Sequence, residues 1–224
     1  MNAVAPNVVV TGQYTPGTVA IDQLTLQGTG SNAFNGPIVA SGGITGSKSW
    51  MYQYLEPSGA KAASVDGRMS ATSTSAALTS GTVYETLLPI EAGLTLSNLT
   101  LFSVAAEATG THAWVGLADN TNKVLTVSAD NTGAAYFAAN TLTTTAIPSF
   151  TTTYTGYYYL FVCVVAGTMP TFASAPAFTH AGLATAAPIW CGTSLTSQTT
   201  PVAAGSSLGT ITPTAGHQIY GYFS

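Results

Sequence analysis

The chain has 224 residues, four Lys or Arg against eight Asp or Glu, and only 5% charged residues beside 46% hydrophobic ones. Four basic side chains cannot form the Lys/Arg patch that nucleic acid or an anionic membrane surface requires. From Asn131 to Ser224 there is no Asp, Glu, Lys or Arg, so that half lacks the groups for carboxylate or amine acid–base catalysis, phosphate binding or hard-metal binding.

Residues 1–70 read as an extended N-terminal arm. Short β pieces, VAIDQLTLQ and GPIVASGG, lie between Gly-rich turns and are too short to enclose a core without neighbours. Trp50, Tyr52 and Tyr54 alternate as the residues of one strand face do, which makes them candidate interface or ligand contacts. The opening MNAVAPNVVVTGQYTPG has no basic region followed by an apolar one, so no secretory signal is expected. Residues 71–80 are low-complexity and read as a linker.

Residues 81–224 read as an antiparallel β-sandwich of jelly-roll type with about eight strands. TVYETLLPI (82–90) is a strand closed by Pro89. LTLSNLTLFSV (94–104) alternates around a break at Ser97-Asn98, as a bulge produces. HAWVGLA (112–118) and KVLTVS (123–128) flank Asp119-Asn120-Thr121-Asn122, a hairpin signal because Asn and Asp tolerate positive φ. AAYFAANTLTTTA and PSFTTTY supply further strands. YYYLFVCVV (157–165) is apolar on both faces and is expected at the centre of a sheet, and QIYGYFS (218–224) closes the chain. The oily run Tyr157–Gly167 falls short of the roughly 18–20 residues of a spanning helix. Between Ala166 and Gly216 the sequence reads mostly as long loops, which in a compact domain either function or pack on a partner.

Candidate chemistry is thin. Gly205-Ser206-Ser207-Leu208-Gly209 matches G-x-S-x-G, but no acid follows Ser207 and no strand–turn–helix context is visible. His112, His180 and His217 have no short ligand spacing; His180 or His217 repeated around a three-fold axis is the better metal arrangement. Asp119, Asn120, Asn122 and Asp130 cluster around one hairpin without the EF-hand spacing, and turn chemistry accounts for them. Cys163 and Cys191 sit in apolar surroundings and read as buried thiols, with a disulfide between them left open. Trp114 is expected in the core. Trp190, in a loop-like stretch, is the best candidate for an interface or sugar-stacking contact, with Tyr157–Tyr159 as a second aromatic group. No catalytic residue, cofactor or resident metal is assigned.

The run LTSGTVYETLLPIEAGLTLSNLTLFSV, followed by AWVGLADN, AANTLTTT and TTTYTGYYYLF, resembles a domain of virion proteins from tailed phages of actinobacteria, over roughly residues 78–175. The GPIVASGGITG style of the arm is similar to trimeric phage-fibre stalks. The resemblance implies a non-enzymatic structural protein on the virion surface, minor-tail or fibre-like, often homotrimeric and in contact with other virion proteins. A capsid decoration protein and a module binding host-surface glycan are the alternatives. Neither nucleic acid nor membrane insertion is expected.

Overall fold

The computed structural model describes residues 56–64, 68–177, 182 and 185–224. Within them the chain forms twelve strands. In order these are β1 (Ala62–Ala63), β2 (Ser73–Thr74), β3 (Val83–Ile90), β4 (Thr95–Ala105), β5 (His112–Ala118) and β6 (Val124–Val127). They continue with β7 (Thr141–Thr151), β8 (Gly156–Val165), β9 (Thr171–Ser174), β10 (Cys191–Thr193), β11 (Thr212–Pro213) and β12 (Gly221–Phe223). One sheet runs β1-β12-β4-β9-β2, with β7 on the other side of β4; the second runs β11-β10-β3-β8-β5-β6. Every strand pairing is antiparallel.

The two sheets share one core, which makes the fold all-β and sandwich-like. Tyr158, Leu160, Val162 and Val164 of β8, with Leu88 of β3 and Val115 and Leu117 of β5, pack with Leu99 and Leu101 of β4, Phe172 of β9 and Phe223 of β12. Side chains alternate across a strand, so Tyr159, Phe161 and Cys163 of β8 point the other way. They form a second cluster with Val83, Leu87, Trp114 and Leu208, against which Trp190, Leu195, Val202 and Ile211 pack. This double burial explains why β8 is apolar on both faces. One face meets the opposite sheet, and the other lies under residues 190–211.

Several expected details recur. The register of β4 against β7 shifts between Leu96 and Asn98; there the Ser224 carbonyl accepts both Ser97 N at 2.8 Å and Asn98 N at 3.2 Å. The β5–β6 turn places Asn122 at φ 61°, and Asp119 Oδ1 accepts from Thr121 N, Thr121 Oγ1 and Lys123 N at 2.8, 2.7 and 3.1 Å. β8 lies between β3 and β5.

Other details differ. β3 runs to Ile90 as its expected range of 82–90 has it, but Pro89 sits inside the ladder opposite Tyr157 rather than closing it. Residues 56–64 and 68–80, read as arm and linker, add β1 and β2 to the first sheet, and Ser64 Oγ donates to Ile219 O at 2.8 Å. The stretch 166–216 is mostly loop, as expected, but it also supplies the short strands β9, β10 and β11, and its residues 190–211 pack on the second sheet. AAYFAANTLTTTA and PSFTTTY are not two strands; β7 runs unbroken from Thr141 through Pro148 to Thr151.

Candidate functional site

Of the residues singled out in the sequence, Trp50, Tyr52, Tyr54 and His180 lie outside the described residues. Trp190 immediately precedes β10. Its carbonyl accepts Leu87 N at 2.8 Å, and its ring is half-buried on the Val83–Trp114–Phe161 cluster. Trp114 is fully buried, as its position in β5 suggested. The tyrosine run divides: Tyr157 is 50% exposed, whereas Tyr158 and Tyr159 are buried. Tyr158 stacks on Tyr154 with centroids 4.4 Å apart and donates its hydroxyl to Tyr154 O at 2.9 Å.

The polar candidates are occupied by structural contacts. Ser207 Oγ accepts Gly209 N at 3.0 Å inside a loop, flanked by Gly205 and Gly209 at φ 86° and 81°. That is a turn rather than a strand-to-helix elbow. Burial opposes ionisation of Asp119, but the hydroxyl and backbone donors of Thr121 and Lys123 outweigh it and hold the carboxyl below its ordinary range. His112 Nδ1 lies 2.7 Å from Asp130 Oδ2. Cys163 is near this pair, but burial first, and the Asp130 charge second, push its thiol up to about 12. An activated nucleophile needs a depressed thiol pKa, and Cys163 is shifted the opposite way. Both cysteines are free and buried. His217 packs on Tyr84 with ring centroids 4.6 Å apart, and burial lowers its pKa. Among the described residues no three His, Cys, Asp or Glu come together as metal ligands.

Two features stand apart from this ordinary packing. The first is β7. It is eleven residues long, and among the described residues it pairs with β4 alone. Its second half is flanked by β6, where Thr126 Oγ1 donates to Pro148 O at 2.8 Å. Its first half, Thr141–Ala146, carries neither charge, proline nor bulge, the usual guards of an edge strand. Its outward face shows hydroxyl and apolar groups. Thr144 Oγ1 bonds Thr100 Oγ1 at 2.9 Å, and Leu142, opposite Phe102, is 52% exposed.

The second feature, absent from the sequence reading, is Glu85. Strand β3 places it between Val83 and Leu87, with Phe161 opposite on β8 and Gly192 opposite on β10. It is fully buried, and among the described residues neither carboxylate oxygen completes a hydrogen bond, although the Ser194 hydroxyl is close enough to act on it. Burial pushes its pKa up to about 7, against a smaller pull from the nearby Ser194 hydroxyl. Trp114 Nε1, in the cluster on this same face, is likewise unpartnered. Tyr159 is pushed up to about 12, by burial first and by Glu85 second. The signal was legible in principle, since period two puts the lone acid of VYETLLPI on the same face as Val83 and Leu87. Compared with protein-family models, curated proteins and solved structures, the chain finds no match in any of the three.

Proposed function

We propose that this chain is a non-enzymatic structural protein of a tailed-phage virion surface, minor-tail or fibre-like, that works as a homo-oligomer, with a trimer as the expected state. In this reading the N-terminal arm anchors the chain and the sandwich, of jelly-roll type, projects outward. The observation that carries the assembly claim is the unguarded first half of β7. A long edge without charge invites strand pairing unless a partner covers it. Around a symmetry axis each charge meets its own like, whereas hydroxyls and apolar groups pair with themselves. The sequence resemblance of residues 78–175 to tailed-phage virion proteins adds the setting; that span holds strands β3 to β9. Immunogold labelling of purified virions tests this reading. Label on the tail or fibres is the expected result, label on the capsid shell supports a decoration role instead, and unlabelled particles refute both.

A glycan-binding reading draws on Tyr157, half exposed at the start of β8, and on the half-buried Trp190. Its test is a glycan array with the native chain and with Trp190→Ala and Tyr157→Ala. Binding lost in either variant supports it, and an array blank across host-wall sugars refutes it.

A further inference from the structure

We infer that Glu85 is a pH-dependent catch beneath residues 194–211: that segment stays seated while the carboxyl holds its proton and lifts when the proton leaves.

β3, β8, β10 and the segment 194–211 contain no Lys, Arg or His and no second acid. Tyr159 and Cys163 are the other titratable groups on the β8 face, and both are pushed towards their neutral forms, mainly by burial. β5 brings only His112, which is bonded to Asp130. Lys123, ahead of β6, is exposed and acts on Asp119. Among the described residues an ionised Glu85 therefore meets no cation in these elements, and a buried unpaired charge is among the costliest groups in a protein.

Relief comes by admitting water, and the two sides of Glu85 resist this unequally. Within the sheet β3 is joined to β8 along eight paired positions and to β10 along three. Over the face, by contrast, the segment 194–211 is held by scattered backbone bonds. Ser194 N donates to Val83 O at 3.1 Å, Val83 N to Leu195 O at 2.9 Å and Gln198 N to Gly81 O at 2.8 Å. Further along, Gly205 N donates to Val124 O at 2.7 Å and Leu208 N to Asn122 O at 2.8 Å. The segment is the weaker wall, and Ser194 at its base carries a hydroxyl that acts on the carboxylate. Lifting it hydrates Glu85 and uncovers the apolar face of Val83, Trp114 and Phe161.

Hydrogen exchange read at single amides tests this directly, expressed as protection factors so that the intrinsic pH dependence of exchange is removed. Between about pH 5.5 and about pH 8.5 the protection of Ser194, Gln198 and Leu208 is expected to fall on the order of 10- to 30-fold. The amides of the β4–β7 pair serve as the control and are expected to hold. Glu85→Gln and Glu85→Leu, neutral at every pH, are each expected to abolish the fall. Unchanged protection in the native chain overturns the inference. So does a pH response kept in both variants, and so does equal loss across the β4–β7 amides, which would mark global unfolding.

Discussion

The ring of Phe161 occupies the space above Gly116 where a side chain would stand. A Cβ at Gly116 would collide with the Phe161 ring edge and with the Thr126 carbonyl on β6. The two residues face each other across β5 and β8, so the missing side chain on one strand is filled by the large one on its neighbour. Gly116→Ala must push Phe161 off its seat or open the β5–β6 pair. A loss of about 1–3 kcal/mol is expected, read as a lower midpoint in denaturant unfolding. An unchanged midpoint would contradict this packing.

The pH dependence of stability follows from groups pulling in opposite directions. Glu85 holds its proton more tightly folded, at about 7 against 4.5. Its penalty is absent below the unfolded value and grows as pH rises through the folded one. Glu107 is also raised, by burial first, and acts in the same sense. Asp119 is depressed, so its contribution is present above 3.8 and lost as the pH falls further. His217, lowered by burial, favours folding above 6.5 and withdraws that help as pH falls. Comparing the native chain with Glu85→Gln isolates the first term. The melting temperature of the native chain relative to the variant is expected to drop by roughly 5 °C or more between mildly acidic pH and about pH 8. A constant difference would show that Glu85 does not ionise inside the fold.

Glu107 organises an irregular stretch that contains no strand. Its Oε1 accepts Tyr136 N at 2.6 Å, and its own N donates to Phe137 O at 3.0 Å. Phe137 is thereby seated in the core, edge-on to Phe172 with centroids 4.9 Å apart. Glu107→Ala strands a backbone donor and is expected to cost about 1–3 kcal/mol. Chymotrypsin should then cut faster at Tyr136 or Phe137, while cleavage at the same rate as in the native chain would mean the carboxylate does not hold this stretch.

What the sequence shows clearly are features longer than a few residues or tied to backbone chemistry. The two-sided apolarity of β8, the break in β4 and the Asn122 turn each have a cause within about ten residues. The short strands β1, β2, β10 and β11 have two or three residues each, too few for alternation to register, and they exist because a distant strand offers an edge. β7 misleads because Pro148 ordinarily interrupts a ladder. It is tolerated here on an edge strand, at the place where the register against β4 is irregular. Glu85 carries no local signal of its burial, which comes from a cover whose residues 190–211 lie about a hundred positions downstream. Trp190 drew attention as an isolated aromatic in a loop, and the structure makes it part of that same cover.

The most direct test of the central claim, that these surfaces meet copies of the chain, is the solution mass by size-exclusion chromatography with light scattering. At micromolar concentration the native chain is expected at a multiple of the 22.7 kDa of one copy, three-fold for the expected trimer. Leu142→Lys combined with Thr144→Lys, which places charge on the first half of β7, is expected to shift it to the single-chain mass while its circular dichroism keeps the native β signature and its unfolding stays cooperative, at a melting temperature lowered by the loss of association. A native chain that is already a monodisperse monomer, or a double variant that keeps the full assembly mass, would contradict assembly through this edge.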